Sequence, residues 1–257
     1  MRHFEHALIA HRYDLGRPRF HDALLASFVH AIGFDGRWAK ALDVACGTGH
    51  SSQPLLRYAD TVIGIDISEA MIKIARTRVP GVTFIVGSAE ALPADMGPVD
   101  AVFIASGFHW LAKDAFLSSV EAVLAVGGWL VSYDLGPPRV MRDNPAFGRW
   151  YTGEYWARYP NPPRARGTFT EFIASSRGLL ANSGEITSET TIDLSPAELC
   201  AMITTQSNIH QALAGGMPIE EIDSYLKAAV AGFFAGAKAS FVFTSRIQYA
   251  RRVRSRH

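Results

Sequence analysis

The chain has 257 residues, 48% of them apolar and 19% charged, with a formal net charge of +1. That length suffices for one large α/β core with a small addition, and the balanced charge advertises no polyanionic partner. Cys46 and Cys200 are the only cysteines, too few for a disulfide framework or a cysteine metal set. Met1-Arg-His-Phe-Glu-His6 lacks the cationic-then-apolar order of a secretion signal. The most apolar late stretch, 228–237, lies between Lys227 and Lys238 and is too short to span a bilayer. The expectation is a soluble, cytoplasmic protein with no membrane insertion. His3, His6 and His11 fit no ligand spacing, so no metal site is expected.

Tyr13-Asp-Leu-Gly-Arg-Pro18 reads as a loop, and an amphipathic helix follows to about Ile32 with Leu24, Leu25, Phe28 and Val29 inward. Ala41–Val44 is a short apolar run fit for a buried strand, interrupted by Asp43. Cys46-Gly-Thr-Gly49 then turns sharply. Ser51 and Ser52 are placed to cap a helix through Leu55 and Leu56, with Pro54 in its first turn. Strand, glycine turn and helix N-terminus together let a ligand approach bare backbone. Thr61–Asp66 is a second strand ending in a carboxylate, 23 residues after Asp43. An acid there can accept hydrogen bonds from both ribose hydroxyls of a nucleoside, whether the nucleoside belongs to NAD or to another cofactor.

Ser68 caps the next helix, with Met71, Ile72 and Ala75 inward, and Val82–Val86 is the third strand. Asp100–Ala105 is the fourth, leading into Ser106-Gly-Phe-His-Trp-Leu111, which a parallel sheet delivers to its ligand crevice. A helix over 113–126 buries Phe116, Leu117, Val120 and Val123, ends at Gly127-Gly128, and gives way to a fifth strand over 129–134. Composition changes at Gly136-Pro-Pro138. Aromatics crowd 144–159, and 160–163 is proline-rich. Helices are predicted over 169–180, 198–205 and 218–234, with strand six over 187–194 and strand seven over 239–249. Arg139, Arg142, Trp150, Tyr151, Gln206, Asn208 and His210 form a pool of substrate contacts in this region, and its arginines hint at an acidic substrate. The basic end, 251–257, reads as a solvated strand end rather than a nucleic-acid patch.

Asp43-x-Ala45-x-Gly47-x-Gly49 resembles the first motif of the class I S-adenosylmethionine (SAM)-dependent methyltransferases, with alanine in the first glycine place. After Gly49 and two intervening residues no glycine follows, where the dinucleotide fingerprint would require one. Gly87-Ser-Ala-Glu-Ala-Leu-Pro93 is similar to the adenine loop of that family, and Gly127-Gly-Trp-Leu130 to its phrase before strand five. Ser106–Leu111 resembles its small-molecule branch, the trans-aconitate and quinone (ubiquinone–menaquinone) or sterol types.

The resemblance implies cofactor contacts by Asp43, Ala45, Cys46, Gly47 and Gly49 at the turn, and by Asp66, Ile67 and Met71 after the second strand. It implies others by Ser88, Ala89 and Glu90 in the adenine loop, by Ala105, and by Tyr13 and Arg17 in an N-terminal segment folding over the cofactor. His109 is a candidate general base or substrate contact, or a group that only orients its loop, and Trp110 is a candidate substrate contact or packs under that loop. The implied fold is α/β: a Rossmann-like, seven-stranded, mostly parallel sheet flanked by helices. Strand seven is antiparallel, and a helical cap is inserted between strands five and seven. The expected domains are 1–136 (core with N-terminal lid), 137–238 (cap including strand six) and 239–257 (last strand and basic tail). The implied function is methyl transfer from SAM to a small molecule, with S-adenosylhomocysteine as product. An NAD-linked oxidoreductase and a non-catalytic nucleoside-binding module are the alternatives.

Overall fold

The computed structural model describes residues 7–254. His3 and His6, like the last three residues of the basic tail, lie outside the described residues. In chain order, α1 (Ala7–Gly16) and α2 (His21–Ala31) precede β1 (Trp38–Val44), α3 (Ser52–Leu55) and β2 (Ala59–Asp66). Then come α4 (Glu69–Arg78), β3 (Thr83–Val86), β4 (Val99–Ala105), α5 (Lys113–Val123) and β5 (Leu124–Leu135). A two-residue strand β6 (Val140–Met141) leads to α6 (Pro145–Trp150), a π-helical turn over Tyr151–Tyr155, α7 (Trp156–Arg158) and α8 (Phe169–Ser175). The chain finishes with β7 (Leu180–Leu194), α9 (Pro196–Ile203), α10 (Ser207–Ala214), α11 (Ile219–Ala231) and β8 (Ala239–Arg252).

Two compact units divide this chain. The sheet unit comprises Arg19–Asp134, Arg164–Thr187 and Arg246–His257. Its strands run in the order β3-β2-β1-β4-β5-β8, with β7 on β8. The first five are parallel, and β8 and β7 are antiparallel additions. This is the mostly parallel, helix-flanked fold expected, with one short strand more than seven. Leu42, Val44, Val102 and Ile104 fill its core from the central strands, and Phe116, Val120 and Val123 reach them from α5. Phe28 of α2 packs its ring against Trp38, Phe103, Trp129 and Tyr249. The inner stripe read from the sequence of α2 is buried as expected.

The helical unit comprises Met1–Pro18, Leu135–Pro163 and Ser188–Ser245. Its core joins Phe147, Tyr151, Tyr155 and Tyr159 with Leu199, Ile203, Ile209, Ile222, Leu226 and Phe241. Arg12 on α1 grips Asp223 on α11 through two hydrogen bonds of 2.9 and 2.8 Å.

Four local expectations are corrected. Residues 7–16 are helical, where a loop was expected from Tyr13. The helix α5 stops at Val123, and Gly127 and Gly128 lie inside β5 rather than ending the helix. Gly127 has φ +83°, the β4–β5 register shifts beside it, and a Cβ on Gly128 would stand 2.9 Å from the Asp100 carbonyl oxygen. The glycines thus permit a bulge and a close backbone approach. Helix α8 ends at Ser175, because Ser176 and Gly178 (φ +81°) turn the chain, and β7 starts at Leu180 instead of 187. Finally, 207–214 forms a helix of its own.

Candidate functional site

In the sheet unit, the chain after β1 adopts left-handed backbone at Ala45 (φ 54°), Gly47 (φ 55°) and Gly49 (φ 83°). Two of the three are glycines, which accept this region freely, while alanine there is strained. Gly107 makes room for the alanine, since a Cβ at 107 would lie 2.9 Å from that of Ala45. Gly49 is constrained from the other side: its Cβ would meet the Phe84 ring at 3.0 Å and Val79 at 3.2 Å.

Asp43 is fully buried. Ser51 and Ser52 were expected to cap α3; instead no side-chain cap forms there, and both hydroxyls donate to Asp43 Oδ2 at 2.7 and 2.6 Å. A buried carboxylate outcompetes a helix end for those donors. Asp43 Oδ1 has no hydrogen-bond partner among the described residues. Burial pushes this carboxyl up to about 7, with nearby Asp66 adding to the rise against the pull of the serine hydroxyls.

Asp66, at the end of β2, is partly buried and held at both oxygens. Gly47 N–H donates to Oδ2 at 2.9 Å and Ser68 N–H to Oδ1 at 2.8 Å. Burial raises its pKa, opposed by those two amides. Each oxygen keeps a further lone pair, so the carboxylate is oriented and still able to accept hydroxyls. Ile67 beside it is 55% exposed, an apolar side chain left at the rim. Met71 is buried, and its N–H bonds the Ser68 cap. The Cys46 thiol is buried, which pushes its pKa well up and leaves it inert.

After β3, Ser88 Oγ accepts from Glu90 N–H at 3.1 Å and starts a turn of 3-10 helix over Ala89–Ala91. Glu90 Oε1 accepts from Ala112 N–H at 2.7 Å, tying this loop to the start of α5. After β4, Ala105 pairs with Tyr133 of β5, and Ser106 N–H donates to the Tyr133 carbonyl at 2.8 Å. Phe108–Trp110 forms a 3-10 turn, with the His109 carbonyl taking Ala165 N–H at 3.0 Å and its ring 4.7 Å from Trp110. The structure therefore gathers the ends of β1, β2, β3 and β4 along one edge, as a parallel sheet requires.

The remaining expected residues belong to the helical unit. Arg17 lies 4.8 Å over the Tyr13 ring and donates to the Thr205 carbonyl at 3.3 Å. Arg139 lies over Trp156, and exposed Arg142 bonds Thr191. Tyr151 donates to Gln206 Oε1 at 2.8 Å, and Tyr155 to the same oxygen at 3.1 Å. Asn208 Nδ2 donates to Tyr155 Oη and to the Tyr159 carbonyl. Burial pushes the Tyr151 phenol up to about 12, against the pull of Gln206, Arg139 and Arg17. Trp150 and His210 are buried in the same unit. Tyr151, Gln206 and Asn208 are thus joined through Tyr155, a residue the sequence reading left out although its four-residue spacing from Tyr151 and Tyr159 marks one helix face.

A methyltransferase-domain model matches residues 41–128, the stretch from β1 through the start of β5. The chain is a methyltransferase of the class I fold. It is 28% identical over 183 residues to an uncharacterized methyltransferase of Mycobacterium tuberculosis, covering 71% of each chain. It is 30% identical over 167 residues to a demethylmenaquinone methyltransferase of Thermotoga maritima, covering 59% of this methyltransferase and 65% of that relative. A solved protein from Anaeromyxobacter dehalogenans, provisionally named a type II methyltransferase, superposes with TM-score 0.62 at 26% identity over 93% of this chain and 99% of its own. Methyltransferases of this class use SAM. The residues present fit it: a carboxylate at Asp66 oriented by two backbone amides, a left-handed turn beside it, and a buried Asp43 oxygen without a hydrogen-bond partner among the described residues.

Proposed function

We propose that this methyltransferase acts on a small-molecule acceptor, an acid among the candidates, and works in the cytoplasm without nucleic-acid partners. The observation that carries the cofactor end of this reading is the carboxylate of Asp66, fixed by Gly47 and Ser68 amides against the glycine turn. SAM supplies a methyl group already activated on a sulfonium. Asp66 would accept its ribose hydroxyls, and the turn at Ala45, Cys46, Gly47 and Gly49 would give the methionine part backbone to lie against. Ser88, whose hydroxyl oxygen already serves Glu90, would turn its remaining capacity to the adenine amine, and Ala89 N–H would serve a ring nitrogen. Glu90 would hold that loop, and Ile67, Met71 and Ala105 would line it. Tyr13 and Arg17 are proposed as further cofactor contacts.

Because the methyl is activated, the protein's main task is alignment of a nucleophile in line with it. His109, at the ligand edge after β4, would take the proton of a hydroxyl, amine or acidic carbon, whereas a carboxylate acceptor needs no base. Trp110, Arg139, Trp150, Tyr151, Gln206, Asn208 and His210 are proposed as acceptor contacts. The relative named for demethylmenaquinone supports a small-molecule acceptor. The test is incubation with SAM labelled in its methyl group and a cell extract separated by size. Label in the small-molecule fraction is expected, and label confined to protein or nucleic acid would overturn the reading.

A further inference from the structure

In the helical unit, two guanidiniums without an ion pair come to the surroundings of the Tyr151 hydroxyl. Arg17, directly after α1, donates from Nη2 to the Thr205 carbonyl at 3.3 Å and lies 4.8 Å over the Tyr13 ring. Its Nε is buried and has no hydrogen-bond partner among the described residues. Gln206 follows Thr205 and accepts the Tyr151 hydroxyl at 2.8 Å. Arg139 rests 4.9 Å over the Trp156 ring, which lies 5.8 Å from the ring of Tyr151. Arg139 is exposed and makes no ion pair or side-chain hydrogen bond among the described residues.

The field at this phenol is cationic, since both guanidiniums pull the Tyr151 pKa down against the rise that burial causes. A buried guanidinium N–H without an acceptor forfeits a charge-assisted hydrogen bond, and an incoming oxygen would restore it. Two cations acting on one phenol favour an oxygen that carries negative charge. Guanidinium donors match the oxygens of carboxylate and phosphate, and the rings of Tyr151 and Trp156 beside them suit an aromatic body.

We propose that Arg17 and Arg139 seat the anionic group, carboxylate or phosphate, of an aromatic methyl acceptor beside Tyr151 and Trp156. The five N–H donors of Arg17 leave room for this beside the cofactor contact proposed above. The proposal rests on the methyltransferase reading and adds the acceptor's chemical class.

The test is calorimetric titration of the full chain with benzoate and, separately, phenyl phosphate, with benzyl alcohol as the uncharged probe. Saturable binding of at least one anionic probe is expected, the tighter of the two distinguishing a carboxylate from a phosphate seat, and benzyl alcohol should bind about tenfold more weakly. Arg139→Gln, an exposed change with little bearing on folding, should weaken the anionic probe about tenfold, as should Arg17→Gln. Arg149→Gln, at an exposed arginine of the same unit, should leave it unchanged. Saturating S-adenosylhomocysteine should leave probe binding intact. No binding of either anion, equal binding of benzyl alcohol, or equal binding in Arg139→Gln would overturn the seat. So would the same loss in Arg149→Gln, or displacement of the probe by S-adenosylhomocysteine, which would assign the guanidiniums to the cofactor's own carboxylate. Failure of S-adenosylhomocysteine to bind at all would instead strike at the methyltransferase reading, independently of the probe result.

Discussion

Asp43 is the residue with the sharpest consequences. Its carboxyl, raised to about 7 from an ordinary 3.8, retains in the folded protein a proton that the unfolded chain releases. The folded state therefore binds more protons between those values, and stability falls as pH rises from about 4 through about 7. Asp43→Asn should remove that slope, gaining relative stability above neutrality of up to roughly 4 kcal/mol, as read from urea midpoints across the range. A second prediction concerns Ala45, whose methyl touches the space that Gly107 leaves open. Gly107→Ala should cost about 1–3 kcal/mol through overpacking, and Ala45→Gly should relieve most of that cost in a double-mutant cycle. The sequence shows Asp43, Asp66 and the glycine turn plainly, because strand, turn and acid are adjacent in the chain. It hides the hydroxyl clamp of Ser51 and Ser52, whose spacing serves a cap equally well. It also hides the pairing of His21 with Tyr133, separated by 111 intervening residues.

At the scale of elements, helix starts are legible where side chain and backbone signals agree. Ser195 caps α9 and exchanges hydrogen bonds with Glu198, and Thr168 does the same with Glu171 on α8. Ser195→Ala should lower stability by about 1 kcal/mol, visible as a fall in denaturation midpoint, and Ser195→Thr should retain most of it. Helix ends are less legible. Gly127-Gly128 carries the ordinary signature of a helix stop, yet the chain has already entered β5, and the pair serves a bulge instead. Likewise β7 begins before its alternation of apolar and polar residues becomes clear, since 182–191 is largely exposed and offers little pattern to read.

At the scale of the molecule, the succession of strands and helices from β1 to β5 fixes a parallel sheet whose strand ends share one edge. That part was readable because each βα unit repeats the same local pattern, and the domain match over 41–128 covers the same stretch. The helical unit was less readable, since its segments are drawn from three separated stretches and its core depends on contacts between them. No helix among the described residues is long and apolar enough to cross a membrane.

Asp66 and the adjoining turn are proposed to bind the sulfur nucleoside. Calorimetric titration of the full chain and of Asp66→Ala with S-adenosylhomocysteine tests it most directly. Saturable binding to the wild type is predicted, weakened in Asp66→Ala by about two orders of magnitude, as the loss of two charge-assisted hydrogen bonds implies. No binding to the wild type, or equal binding to both proteins, would contradict it.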